Sequence, residues 1–326
     1  MKNRMRHFMA PGIAVLLLSL SLSAQAQLSK IVFAPQWIPQ AQFAGYYIAQ
    51  DKGFYQEAGI EVEIIHPSAN IQATAMLASG KADVISLFLV TAMSAKDKGL
   101  DLVNIGQTSQ HSAILFVTKK SGGISELNQL NGKKIGIWKS GFDEVPKALM
   151  AEKHLEIEWV PILTTVNLFL LGGIDAMTVM SYNEYDQIIN SGLNEDELHV
   201  FAMSDYGYDV PEDGLYCLQS TYEKKKEELG RFLLATLKGW DYAATHKKYA
   251  VDLVLRQMQQ AHLQANRMHQ EWMLDKILEM MKPGIKKVKQ GELLETDFRK
   301  AFKILSDYND SEPHYSFSEF YRPTLK

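Results

Sequence analysis

The feature that most restricts the fold of this chain is a regular alternation of short apolar strands with helices. The first series runs from a strand at 30–34 through a helix at about 43–52 to strands at 60–65 and 82–87. A second series starts with a strand at 134–138. Strands that alternate with helices of this length form a mostly parallel sheet covered on both faces. The sequence therefore predicts an α/β fold with two units.

The second series repeats the plan of the first. A helix, a glycine, an aspartate and a buried strand succeed one another at 71–87 and again at 165–180. From Tyr222 onward the pattern is almost wholly helical, and one helix face collects large apolar residues at helical spacing. They are Leu229, Phe232, Leu233, Leu237 and Trp240. Such helices must bury that face, and we expect them to pack on the first unit.

The N-terminus has the features of a secretory signal peptide. Lys2, Arg4 and Arg6 precede an apolar run at 12–22 that is short for a membrane span, and a small-residue site ends at Ala26. We expect cleavage after Ala26 and export to the periplasm; the small-residue site disfavours the alternative, an uncleaved anchor. The mature chain would have 300 residues, with 31 basic against 38 acidic residues.

This charge balance and the single cysteine exclude several function classes. An acidic chain lacks the positive charge by which general nucleic-acid binders displace counterions. Cys217 alone can form neither an internal disulfide nor a thiolate zinc site. The histidines are scattered along the chain and predict no metal site. We expect no cofactor.

Several short motifs stand in a fixed order along nearly the whole mature chain. They are FAPQWIP at 33–39, FAGYYIA at 43–49, KGFY at 52–55, SGKAD at 79–83, LNGKKIGIW at 130–138, YNE at 182–184 and PEDGL at 211–215. In this order they resemble the NMT1/THI5-like substrate-binding proteins of ABC transporters. The resemblance implies a type II periplasmic binding protein fold, with two α/β lobes, a two-strand hinge and C-terminal helices.

The same resemblance implies boundaries and partners. Lobe 1 would comprise 28–117 and 218–326, and lobe 2 would comprise 118–217, with Cys217 buried near the hinge. The lobes would close on a small-molecule ligand, and the partner would be an ABC permease. A periplasmic sensor that reports to a membrane receptor is the alternative. We expect a monomer that binds no nucleic acid.

Ligand contacts are expected outside the carboxyl ends of the strands, where open α/β sheets bind their ligands. The candidates at or just after predicted strand ends are Trp37, Ser86, Phe88, Gln110, Trp138, Phe142, Glu144, Tyr182, Asn183 and Glu184. The resemblance adds Asp205 and Tyr206 from the loop before the second crossover. The Ser140-Gly141 turn offers backbone N–H groups at a helix start. Core packing of Trp37 or Phe88, and an exposed helix-capping role for Glu184, are the alternatives.

We predict the chemical class of the ligand from the side chains of segment 182–184. A ring, a carboxamide and a carboxylate in a row suit an aminopyrimidine-like heterocycle, such as a thiamine precursor. A sulfonate would require arginine, serine and threonine, and the mature chain has no arginine before Arg231. We therefore predict a flat nitrogen heterocycle, with a sulfonate- or nitrate-type solute as the alternative.

The family that this chain resembles also includes pyrimidine-precursor synthases. The resemblance implies that those enzymes carry a lysine and a histidine where this chain has Leu87 and Thr91, and a cysteine-rich iron motif as well. The chain has one cysteine and is expected to be exported. We therefore predict that it is not an enzyme.

Overall fold

The computed structural model describes residues 28–68, 71–138, 142–309 and 312–325. The predicted signal peptide at 1–26 and the Ser140-Gly141 turn lie outside these residues. In the described ranges, no helix combines the length and the apolar character that a bilayer crossing needs.

The first α/β unit is built on a five-stranded sheet in the order β2-β1-β3-β10-β4. Its strands are β1 (Ser29–Ala34), β2 (Ile60–Ile64), β3 (Val84–Phe88), β4 (Leu102–Gln107) and β10 (Asp213–Leu218). β1 pairs in parallel with β2 and β3, whereas β10 lies antiparallel between β3 and β4. The sheet is therefore mixed, and the prediction of a mostly parallel sheet holds for three of its strands.

The second unit repeats this plan in the order β7-β6-β8-β5-β9. Its strands are β5 (Ile114–Lys119), β6 (Lys134–Trp138), β7 (Glu158–Ile162), β8 (Ala176–Met180) and β9 (Leu198–Ala202). β5 lies antiparallel between β8 and β9, as β10 does between β3 and β4. In each sheet, the antiparallel strand is the one that enters from the other unit. The prediction of two α/β units is confirmed.

Both crossovers lie earlier in the chain than predicted. β5 contains Val117 but belongs to the second sheet, so the first connection is 108–113; β10 belongs to the first sheet, so the second connection is 203–212. The predicted divisions at 117/118 and 217/218 are wrong because β5 pairs with β8 and β9 of the second sheet and β10 pairs with β3 and β4 of the first. Cys217 is buried as predicted, but it pairs with Val103 inside the first sheet.

Helices cover both sheets and form the C-terminal part of the chain. They are α1 (Ala44–Asp51), α2 (Phe54–Glu57), α3 (Ala73–Ala78), α4 (Leu89–Asp97), α5 (Glu144–Glu152), α6 (Asn167–Leu170), α7 (Glu184–Asn190), α8 (Gln219–Thr245), α9 (Lys247–Gln260), α10 (Arg267–Met280), α11 (Glu295–Asn309) and α12 (Phe317–Phe320). The predicted apolar face of α8 is buried. α8 crosses α1 so closely that a Cβ on Gly239 would lie 2.1 Å from the Gly45 carbonyl oxygen. The C-terminal helices therefore pack on the first unit, as expected.

Candidate functional site

A cavity of about 40 Å³ lies between the two units, at the carboxyl ends of β1, β3, β6 and β8. The residues that line it are Gln36, Trp37, Gln40, Gln42, Phe88, Trp138, Phe142, Met180, Tyr182, Asn183 and Glu184. Such a volume holds a few water molecules, since one water needs roughly 10–15 Å³ by the same measure. A ring-sized ligand therefore requires the walls to move apart before it can enter.

Aromatic rings form much of the wall. The centroids of Phe88 and Phe142 are 4.4 Å apart, and Trp138 meets Phe142 edge to face at 6.4 Å. Trp37 is half-buried, so it lines the cavity and also packs against the core. Phe88 is likewise buried in the core and also lines the cavity. These rings offer flat apolar faces to a planar ligand.

His66 holds the loop that carries Trp37. Its Nδ1 lies 2.6 Å from the Trp37 carbonyl oxygen, and its Nε2 lies 2.8 Å from the Tyr47 hydroxyl. A carbonyl oxygen only accepts, so Nδ1 carries the hydrogen and Nε2 accepts from Tyr47. Burial lowers the pKa of His66 to about 4. A neutral imidazole thus fixes the backbone of this loop.

Glu184 is the acidic group of the second unit's wall. Its Oε1 accepts from Trp138 Nε1 at 3.4 Å and from Asn183 Nδ2 at 3.0 Å, and its Oε2 accepts from the Met180 amide at 2.9 Å. Burial raises the pKa of Glu184, and the hydrogen bonds from the Met180 amide and from Trp138 oppose the rise. Glu184 is the first residue of α7 but is buried, so the exposed capping role is wrong.

The first unit contributes a glutamine cluster that the sequence analysis missed. Gln36 Nε2 and Gln42 Nε2 donate to the Asp213 carboxylate at 2.7 Å and 2.9 Å. Burial raises the pKa of Asp213 to about 6, while the glutamines act to lower it. Gln36 Oε1 is buried and has no hydrogen-bond partner among the described residues. The glutamine-rich loop directly after β1 was the available signal.

Two predicted residues support the cavity without lining it. Ser86 is buried in β3, and its Oγ accepts from the Gln36 amide at 3.0 Å. Glu144 is buried at the start of α5, accepts from Thr91 Oγ1 at 3.1 Å, and lines a small neighbouring cavity. The prediction that Ser86 and Glu144 line the main cavity is wrong, because their polar groups are directed to protein partners.

Three further predicted residues lie elsewhere. Gln110 donates to the Glu292 carbonyl oxygen at 3.3 Å and lines a separate cavity of about 310 Å³ between the first crossover and the C-terminal helices. Asp205 and Tyr206 form part of a short turn after β9; Asp205 is exposed, and Tyr206 packs against the core. They miss the cavity because β9 is an edge strand, two positions from β8.

The two crossovers are tied together by Glu212. Its Oε1 accepts from the Ala113 amide at 2.6 Å and from Ser112 Oγ at 3.0 Å, and its own amide donates to Ser109 Oγ at 2.8 Å. Burial raises the pKa of Glu212 to about 8. This carboxyl group therefore sits where the two units must pivot. Across the described ranges, no cluster of three or more histidine, cysteine, aspartate or glutamate residues could hold a metal.

Comparisons with known proteins agree with this architecture. A family model described as NMT1/THI5 like matches residues 40–250. The 4-amino-5-hydroxymethyl-2-methylpyrimidine phosphate synthase of Schizosaccharomyces pombe is 30% identical over 108 residues, which is 33% of this chain and 31% of the enzyme. The match therefore spans about a third of that enzyme's length.

Two other proteins match over most of the chain. The riboflavin-binding protein RibY of Chloroflexus aurantiacus is 24% identical over 250 residues, covering 74% of this chain and 70% of RibY. The periplasmic aliphatic sulphonate binding protein SsuA of Escherichia coli has a TM-score of 0.70 at 14% identity, covering 91% of this chain and 94% of SsuA. The likeness to SsuA confirms the predicted periplasmic binding protein fold.

Proposed function

Since this chain belongs to the NMT1/THI5-like family, we propose that it is the solute-binding protein of an ABC importer. In this proposal it clamps a small, flat nitrogen heterocycle, such as a thiamine pyrimidine precursor, between its two units. The observation that carries the proposal is the cavity between the units, which joins aromatic walls to the Glu184 carboxylate. Hinge closure around a ligand is the motion that such a site requires.

The charge of the cavity supports a ligand that donates hydrogen bonds. Its lining residues include one carboxylate and no lysine or arginine. A sulfonate or nitrate would be buried in this cavity without a compensating cation, and burying an unpaired charge is costly. An amino-substituted ring would instead donate to Glu184 and to Gln36 Oε1, which has no hydrogen-bond partner in the part of the chain that the structure describes. The names of two relatives, a pyrimidine phosphate synthase and a riboflavin-binding protein, also point to nitrogen heterocycles.

Other residues of the chain support binding rather than catalysis. Leu87 and Thr91 stand where the resemblance places the lysine and the histidine of the synthases. Burial raises the pKa of the Cys217 thiol, which opposes the thiolate form that binds metals or attacks substrates. We therefore infer a binding protein without enzymatic activity.

The export of the chain is part of the proposal. A chain produced with its N-terminus in a Gram-negative host should appear in the periplasm with Gln27 as its first residue. Mass spectrometry of the purified protein measures this directly. An intact Met1 on a membrane-bound product would contradict it.

A thermal-shift screen tests the ligand class. The probes are 4-amino-5-hydroxymethyl-2-methylpyrimidine, thiamine, riboflavin, taurine and nitrate. We expect a heterocycle to raise the melting temperature, because a ligand at a hundred times its Kd adds about 2.7 kcal/mol to the stability of the folded state. A shift with taurine or nitrate alone would contradict the proposal.

Two variants test whether the ligand-induced rise in melting temperature depends on Glu184. Glu184→Gln removes the charge that the ligand is proposed to meet and should weaken binding about tenfold or more, as expected for loss of a charge-assisted hydrogen bond. Glu195→Gln, at an exposed position of the same unit, is the control. Equal binding by the two variants would refute the role of Glu184.

A further inference from the structure

A second cavity, of about 310 Å³, lies between the first crossover and the C-terminal helices. Part of its wall is the segment 281–291 that follows α10, and this segment is fastened at both ends. The Gln110 amide donates to the Met280 carbonyl oxygen at 2.8 Å, and the Gln107 amide donates to the Gly291 carbonyl oxygen at 3.0 Å. By the measure used above, a water molecule needs roughly 10–15 Å³, so this cavity can hold a small organic molecule.

The buried end of the second cavity offers an unused hydrogen-bond acceptor. Gln110 is 3% exposed and lines the cavity. Its Nε2 donates to the Glu292 carbonyl oxygen at 3.3 Å, and because a carbonyl oxygen only accepts, the other terminal atom of the side-chain amide is the oxygen. This Oε1 has no hydrogen-bond partner within the described residues. A buried acceptor without a donor is costly, so a ligand that donates to Gln110 would remove a penalty.

The side walls of the second cavity are apolar. The Trp240 side chain is almost completely buried and lines the cavity. Leu278, Met281 and Val288 are half-buried and line the same space. A ligand with an apolar body would remove these surfaces, and its own, from water.

The exposed rim of the second cavity carries more positive than negative charge. Lys282 and Lys289 are exposed and line the cavity, and neither forms an ion pair within the described ranges. The acidic residue of the rim is Asp241, which accepts from Gln290 Nε2 at 3.1 Å. Two lysines face one aspartate, so the rim favours an anionic group on the ligand.

We propose that the second cavity binds an amphipathic carboxylate whose apolar end carries a hydrogen-bond donor. The donor meets Gln110 Oε1, the apolar body packs on Trp240, and the carboxylate lies near the two rim lysines. This site goes beyond the proposed function, because it shares no lining residue with the cavity between the units. Gln110 belongs to the first crossover, so the ligand contacts the connection about which the units pivot.

Isothermal titration calorimetry with three related probes tests each part of the site. The first probe, 3-(4-hydroxyphenyl)propionate, combines a carboxylate, a ring and a phenolic donor; 3-phenylpropionate lacks the donor, and 3-(4-hydroxyphenyl)propionamide lacks the charge. We expect the first probe to bind and 3-phenylpropionate to bind about fivefold more weakly, because it leaves Gln110 Oε1 without a donor. The amide should bind about threefold more weakly at low salt, since exposed ion pairs are weak and are screened by salt.

Variants test whether the first probe binds in the second cavity. Ala244 is exposed and lines this cavity, so Ala244→Phe should fill part of it and abolish binding. The double variant Lys282→Gln and Lys289→Gln should weaken binding about threefold and remove the preference for the acid over the amide. Lys287→Gln changes an exposed lysine of the same segment that does not line the cavity, and this control should bind as the parent protein does. Circular dichroism checks that each variant is folded.

The outcomes are separate from those of the heterocycle screen. No binding of the first probe, equal binding of the three probes, or unchanged binding by a folded Ala244→Phe overturns the inference and leaves the proposed function standing. Binding that is lost in Ala244→Phe and weakened in the lysine double variant supports the inference, whatever the heterocycles do. If Ala244→Phe does not fold, the lysine double variant decides, and binding equal to that of Lys287→Gln overturns the inference.

Discussion

The buried carboxyl of Glu212 offers a sharp test of how the two crossovers are held. Its Oε1 accepts from Ser112 and Ala113 of the other crossover, whereas its Oε2 has no partner among the described residues. Burial raises its pKa from the usual 4.5 to about 8. Glu212→Gln keeps an acceptor oxygen for both donors and removes the ionisation.

The expected magnitude follows from linkage. Between pH 4.5 and 8 the folded chain holds a proton on Glu212 that the unfolded chain releases, so the free energy of unfolding falls as the pH rises. Each pH unit corresponds to about 1.4 kcal/mol, so the parent protein should lose about 4 kcal/mol from pH 5 to pH 8 through this group. Glu212→Gln should lose none of it.

Urea denaturation between pH 5 and 9 measures the difference. Both proteins contain Asp213 and the same histidines, so the difference between the two curves isolates Glu212. Glu227→Gln, at an exposed position of α8, is the control and should follow the parent curve. Parallel curves for the parent and Glu212→Gln would refute the claim that this carboxyl is held protonated in the folded state.

Two further predictions concern the cavity loop and the helix contact behind it. The pKa of His66 is lowered to about 4, so its contribution to stability is present above pH 6.5 and is lost as the pH falls towards 4. Relative to His66→Gln, the parent protein should lose about 3 kcal/mol of its free energy of unfolding over this range. Parallel denaturation curves for the two proteins would contradict this. Gly239→Ala should cost about 2 kcal/mol or more, because its Cβ would meet the Gly45 carbonyl oxygen at 2.1 Å. Gly122→Ala, which has open space around it, is the control, and equal melting temperatures would refute the packing argument.

Local patterns predicted most elements of the fold, because periodicity and turn residues act over short distances. The strand at 134–138 and the buried face of α8 agree with the structure. The insertion of β5 and β10 as antiparallel strands was missed, since their partners lie far away in the sequence. The pairing partners of a strand are a property of the assembled sheet, so both crossovers were predicted too late in the chain.

The same distinction holds for the candidate site. The rule that ligands sit at strand ends found Trp37, Trp138 and Glu184, because a strand end can be recognised from its own residues. It could not find the contact of Gln36 with Asp213, which joins residues 177 positions apart. Nor could it predict that α10 would bring His269 within hydrogen-bond distance of Asp186 in the second unit, because the position of that helix depends on packing.

The place of β10 in the sequence also sets the order in which the two units can be completed. All strands of the second sheet lie between residues 114 and 202, whereas the first sheet needs residues 213–218 to fill the gap between β3 and β4. During synthesis from the N-terminus, the second unit therefore has its complete set of strands first. Until β10 arrives, β3 and β4 present unpaired edges, which are the surfaces that aggregate or recruit chaperones. The first unit, although it begins the described chain, is the last to obtain its native sheet.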